Sequence, residues 1–285
     1  MTIRDVFVPL FQGVPFEAQL GVAADLAIQF KTHTNVVFTR PDPVIAASMV
    51  PEMVAAAGVV AEAIETEGKL AQAAAFEAFD QWRTAYGLLP AADETPANST
   101  AATWHQRVGS VAATMIEVGR LCDLAVVPKP DRYEVITEEA FAVSVFETGR
   151  PAIVTPASVK QSIFHHVVVA WNGSLQAAKA IDGAMPLLRQ AEKVSIFAPF
   201  EDTAVLFDKL GLMEHLSWHG IQAEYLDTER KPADVGKSLT DSATAAHATM
   251  IVMGAYTHSR IREAVLGGVT RHVIKQADIP VLMMH

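Results

Sequence analysis

Short apolar runs alternate along the chain with stretches of helical period. Val6-Phe7-Val8-Pro9-Leu10 reads as a buried strand, residues 15–30 as an amphipathic helix and residues 35–39 as a second strand. The second half repeats this order. Val167-Val168-Val169-Ala170-Trp171 reads as a strand, residues 175–190 as a helix, and Val194-Ser195-Ile196-Phe197-Ala198 as a strand. Continuous apolar runs of this length between helices mark parallel strands covered on both faces. The closing strands correspond as well. Asp123-Leu124-Ala125-Val126-Val127-Pro128 parallels Thr249-Met250-Ile251-Val252-Met253-Gly254, and Pro151-Ala152-Ile153-Val154 parallels Pro280-Val281-Leu282-Met283. The pattern predicts an α/β chain of two like domains, residues 1–157 and 158–285. Each is expected to hold a five-stranded parallel sheet with helices on both faces. The boundary is expected in the small, polar segment 157–160.

The halves differ in one place. Residues 51–87, rich in Ala, Glu and Gln, predict one or two long helices, and residues 89–100, with Pro90 and Pro96, a loop. The third strand of the first half is expected at residues 101–106. The resulting insertion, about 51–100, reads either as an interaction arm or lid, or as an elongated surface helix.

Composition narrows the function. With 285 residues, 51% hydrophobic and 19% charged, the chain has a globular composition. A net charge of −10 disfavours nucleic acid and anionic lipid as partners. Cys122 is the single cysteine, which excludes an intrachain disulfide and argues against a cysteine zinc site. The first eleven residues are too short and too charged for a signal peptide, and no run of about 18 apolar residues suggests a membrane span. A cytoplasmic location is expected.

The chemistry concentrates near the end of the chain. A strand closes at Met253, a loop opens with Gly254, and Gly267 and Gly268 precede a helix over residues 269–276. Ligands of open parallel sheets sit beyond the carboxyl ends of the strands. A helix N-terminus there offers unpaired N–H groups and a positive dipole end, which suit phosphate, and glycines admit a close approach. Thr270 supplies a hydroxyl; Arg260 and Arg262 supply positive charge, and His258 lies in the same loop. The first strand of this half runs into Trp171-Asn172-Gly173-Ser174, which brings the Asn172 amide to the same edge. Ser174 is placed as an N-cap and Gly173 as a turn residue.

These residues resemble the universal stress proteins over residues 163–285 and, less closely, over 3–157, with the insertion unmatched. The tandem arrangement resembles their two-domain members. The family's nucleotide motif runs Gly, two residues, Gly, nine residues, then Gly with Ser or Thr. This chain keeps the spacing with Gly254, Thr257, Gly267 and Gly268; Thr257 replaces the second glycine and Gly268 the Ser/Thr. Asn172 stands where the family usually carries an acidic residue against adenosine. The resemblance implies two adenine-nucleotide α-hydrolase-like domains. It implies ATP, with Mg²⁺ accompanying it, as the ligand of the second. The implied contacts are Ala170, Asn172, Met253, Gly254, Thr257, His258, Gly267, Gly268, Val269 and Thr270. It also implies edge-to-edge pairing of residues 152–155 with 281–284, an intrachain pseudo-dimer, with a homodimer as a further option.

In the first half the corresponding loop reads Pro128-Lys129-Pro130-Asp131, and Gly149 falls late in the following helix. Proline lacks the N–H groups that phosphate needs, so this half is expected to be a degenerate partner domain. Three functions follow: a nucleotide-binding stress-response protein, an interaction module without nucleotide, or a slow ATPase. The chain is expected not to be an enzyme, since no nucleophile constellation is legible and Gly173-Ser174-Leu175 lacks the G-x-S-x-G elbow. Gly236-Lys237-Ser238 falls inside a helical pattern and has Lys231 where a P-loop needs glycine. His215 and His219 read as a solvated helix face, without the glutamate of a metalloprotease between them. His165 and His166 open a strand with their rings on opposite faces.

Overall fold

The computed structural model describes residues 2–48, 56–91, 99–130, 134–199, 203–228, 233–255 and 268–285. The first half contributes β1 (Asp5–Phe11), β2 (His33–Arg40), β3 (Leu89–Pro90), β4 (Ala101–Val108), β5 (Leu124–Pro128) and β6 (Ala152–Thr155). Its helices are α1 (Glu17–Phe30), α2 (Pro43–Ser48), α3 (Ala57–Ala85), α4 (Val111–Gly119) and α5 (Glu134–Phe146). The second half contributes β7 (His166–Ala170), β8 (Lys193–Phe197), β9 (Ala223–Tyr225), β10 (Met250–Gly254) and β11 (Val281–Met284). Its helices are α6 (Leu175–Leu188), α7 (Thr203–Trp218), α8 (Val235–Ala245) and α9 (Gly268–Gln276).

All strands join one 11-stranded sheet in the order β3-β4-β2-β1-β5-β6-β11-β10-β7-β8-β9. Every pairing within a half is parallel. The halves meet where β6 and β11 run antiparallel, with Val154 opposite Val281 and Ala152 opposite Met283. This reversal puts the carboxyl ends of the first half's strands on one edge of the sheet and those of the second half on the other. Alternation along each strand divides the core. Val6, Val8, Leu10, Val167, Val169 and Leu282 pack on one face; Phe7, Phe11, Val168, Ile251, Val281 and Met283 pack on the other.

One expectation needs correction. Among the described residues the first half has six strands, because β3 lies in the stretch read as a loop. Leu89 N–H donates to Thr100 O at 2.9 Å and Ala91 N–H to Ala102 O at 3.2 Å, so extended backbone adds itself beside β4. Pro90, with no N–H to give, is tolerated there because the strand is at the sheet edge.

The helical insertion packs as α3, whose Ala75, Phe79 and Trp82 are buried. Phe79 meets Trp104 of β4 at 5.4 Å between ring centroids, and Trp104 stacks on Phe38 of β2 at 6.0 Å. Trp82 Nε1–H donates to Leu20 O of α1 at 2.8 Å, so the indole has its polar partner inside the core. Contacts across the two halves add to the β6–β11 seam. Ile163 N–H donates to Asp25 Oδ2 at 3.1 Å, Phe30 meets Phe164 edge to face at 5.9 Å, and Lys129 Nζ donates to Ala277 O at 2.8 Å.

Candidate functional site

The carboxyl ends of β7 and β10 are neighbours, since Val169 pairs with Val252. The register brings Asn172, just past β7, level with the end of β10. β10 includes Gly254 as its last residue, one later than the apolar run indicates. Ala255 follows, buried, with its N–H donated to Met284 O at 2.9 Å. Helix α9 begins at Gly268, and its buried Val273 and Ile274 anchor it in the core. Asn172, Gly254 and the α9 segment therefore belong to one sheet end. Thr257, His258 and Gly267, like Arg260 and Arg262, lie outside the described residues.

The two described glycines of the motif differ in physical role. A Cβ on Gly254 would stand 2.5 Å from both the amide nitrogen of Ala177 and the carbonyl carbon of Gln176. Glycine is thus required at this position because α6 starts against it, and not only to admit a ligand. No described residue lies within 4 Å of a Cβ built on Gly268. The first N–H groups of a helix lack intrahelical acceptors, so among the described residues this turn has room for an anion.

The other implied contacts divide by exposure. Asn172 is exposed and its Oδ1 accepts from Ser174 N–H at 3.1 Å, so one face of the amide already closes the turn. Gly173 has φ +72°, and Ser174 Oγ accepts from Ala177 N–H at 3.2 Å, which makes it the N-cap of α6. Ala170 and Val269 are half-buried and line the core. Met253 and Thr270 are buried. Sequence reasoning passed over Trp171. Its ring packs on the core beside Asn172, and its buried Nε1 has no hydrogen-bond partner among the described residues.

The remaining titratable groups sit elsewhere. Cys122 is 1% exposed, and burial pushes its thiol pKa up to about 12, so it is not a nucleophile. His166 is buried, with Nε2 2.7 Å from Ser195 Oγ and Nδ1 2.8 Å from Ala246 O. Desolvation lowers its pKa and favours the neutral ring, which can bond both partners. A Thr-His-Asp chain is brought together by strand order in the first half: Thr103 Oγ1 lies 2.7 Å from His33 Nε2, and His33 Nδ1 lies 3.2 Å from Asp5 Oδ1. It ties the starts of β1, β2 and β4, and its members are too far apart in sequence to be read as a set. His215 and His219 touch at 4.8 Å between ring centroids, and His219 also meets Arg189. No group of three or more His, Cys, Asp or Glu among the described residues is placed to hold a metal. A cavity of about 560 Å³ opens between segment 156–161 and the ends of α8 and α9. It lies at the opposite end of β10 from Gly254 and takes no part in the site. Among the described residues no helix is long and apolar enough to cross a membrane.

Comparisons with known proteins agree with this architecture. Residues 164–285 match the sequence model of the universal stress protein family. A universal stress protein from Archaeoglobus fulgidus DSM 4304 superposes with a TM-score of 0.72 at 15% identity, over 99% of this chain and 96% of its own. A putative universal stress protein from Pseudomonas aeruginosa UCBPP-PA14 does so with a TM-score of 0.55 at 13% identity, over 99% and 93%. Identities this low speak for the fold alone. No curated protein matches the chain significantly. Residues 164–285 thus belong to the universal stress protein family, and the whole chain, with its two like halves, shares the fold of universal stress proteins.

Proposed function

We propose that the second half binds an adenine nucleotide, ATP with its Mg²⁺, at the carboxyl ends of β7 and β10, and that the protein acts in stress response by binding and not by catalysis. The observation that carries this reading is that no described residue crowds Gly268, at the first turn of α9 and on the sheet end that holds Asn172. The phosphates would lie on the N–H groups of that turn, with the dipole of α9 favouring their charge. The Asn172 NH₂ would face the nucleoside, as a neutral donor in place of a carboxylate. Mg²⁺ would be held mainly by the nucleotide's own oxygens.

Calorimetric titration with ATP, ADP and AMP tests this, with Trp171 as a fluorescent reporter beside the site. The expected result is saturable binding in the micromolar to millimolar range. Gly268→Glu, which puts a carboxylate at this turn, is expected to weaken binding at least tenfold, about 1.4 kcal/mol. No heat at millimolar nucleotide would overturn the reading. A second reading, an interaction module without nucleotide, is favoured by one observation: Asn172 Oδ1 is already engaged by Ser174. Wild-type protein that shows no nucleotide binding would support it.

A further inference from the structure

The first half has its own polar cluster at its own carboxyl edge, on the side of the sheet opposite Gly268. β2 ends in Arg40, which is 9% exposed. Its guanidinium forks onto Glu65 of α3, with Nη1 to Oε2 at 2.5 Å and Nη2 to Oε1 at 3.2 Å. Lys69 Nζ reaches the same carboxylate at 3.1 Å. Two cations therefore converge on one carboxylate, and that carboxylate comes from the inserted helix, not from the sheet. The Glu65 side chain keeps 31% of its surface exposed and that of Lys69 66%, so the cluster opens to solvent on the α3 side.

The fit of Glu65 to this cluster is incomplete. Among the described residues, buried Arg40 Nε finds no acceptor and buried Gln12 Oε1 no donor. An unmet buried group costs about 1–3 kcal/mol, so native proteins leave few of them. Gly68 adds a second sign of a shaped space. A Cβ there would stand 3.2 Å from Arg40 Cδ and 3.5 Å from Gln12 Oε1, so the absent side chain lets the arginine and the amide lie under the helix. The place is also where an open parallel sheet takes ligands, just past β1 and β2.

We propose that Arg40 and Lys69 form an oxyanion-binding site in the first half, which Glu65 fills in cis, and that a phosphate or carboxylate group of a ligand takes it when Glu65 withdraws. Arg40 supplies the two-pronged donor geometry that both anions accept, and Lys69 a second charge. The site is independent of the nucleotide reading for the second half, since it shares no residue or sheet edge with it.

The test uses the full chain with inorganic phosphate, pyrophosphate and acetate as probes, read by calorimetry and by thermal shift at constant ionic strength. Glu65→Ala is expected to bind phosphate or acetate at least tenfold more tightly than wild type, and α3 amides over residues 57–85 are expected to exchange more slowly when the anion is present. Comparing the two anions tells a phosphate source from a carboxylate source. Lys69→Ala added to Glu65→Ala is expected to weaken the gained binding severalfold, and its exposed side chain makes this a change that leaves the core intact. Gly268→Glu added instead is expected to leave the gain unchanged. No gain in Glu65→Ala, or a gain that survives Lys69→Ala in full or vanishes with Gly268→Glu, overturns the proposal.

Discussion

At Gly254 and Gly268 the same residue type answers to different forces, and substitution separates them. Gly254→Ala forces a Cβ into the backbone of Gln176 and Ala177, and the start of α6 or the end of β10 must move. A loss of at least about 2 kcal/mol is expected in chemical denaturation. Gly268→Ala meets no described residue within 4 Å and is expected to stay within about 0.5 kcal/mol of wild type. Lowered pKa values shape the acid limb of stability, those of His166 and Glu65 among them. His166 has a lowered pKa from burial, so the unfolded chain binds its proton more readily, and stability is lost as pH falls below the ordinary histidine range. Glu65 is held below its ordinary value by Arg40 and then Lys69. Its contribution is complete above the ordinary glutamate range and is lost only as pH falls through the lowered pKa. Thermal unfolding from about pH 7 to about pH 3 is therefore expected to decline in two stages, and Glu65→Gln to shrink the lower one, to which Glu224 and Asp234 also contribute. If Glu65→Gln leaves the lower stage unchanged in size, the Arg40 pair does not contribute to it.

The inserted helix α3 is long enough to stand apart from the domain, yet its aromatic residues bring it down onto β2 and β4. Phe79 is 3% exposed and touches Trp82, Trp104 and Phe76. Phe79→Ala is expected to cost about 3–5 kcal/mol and to raise hydrogen exchange in α3 more than in β7–β11. An unchanged exchange pattern in α3 would falsify the view that this ring anchors the helix. In α9 the buried side chains of Val273 and Ile274 hold the helix on the core. In α6, Ser174 caps the helix and Asn172 turns the chain into it.

For the molecule as a whole, the β6–β11 pairing makes each half the edge cover of the other. β6 is buried along its whole length, and an uncovered apolar edge strand is a template for association. Deleting residues 159–285 is expected to give a first half that aggregates or dimerises, as read by size-exclusion chromatography with light scattering. A stable monomer from that deletion would show that the seam is not what shields β6. The antiparallel seam also separates the Arg40 cluster from the Gly268 turn, so ligands at the two sites would not compete for space.

The period of apolar and polar positions was enough to read an α/β chain of repeated βα units, because buried parallel strands and amphipathic helices leave local marks at Val167-Val168-Val169 and in residues 175–190 alike. The spacing of Gly254, Gly267 and Gly268 was likewise visible as pattern. What each residue meets across the fold was not. β3 was missed because two residues at an edge carry no period, and Leu89 is a strand residue only because Thr100 O is there to accept its N–H. The clash that makes Gly254 a glycine comes from α6, the partners of Arg40 come from a helix 25 residues on, and Thr103 meets His33 from 70 residues away. Local chemistry writes the elements into the sequence, whereas contacts between elements depend on strand order and register, which only the folded chain fixes.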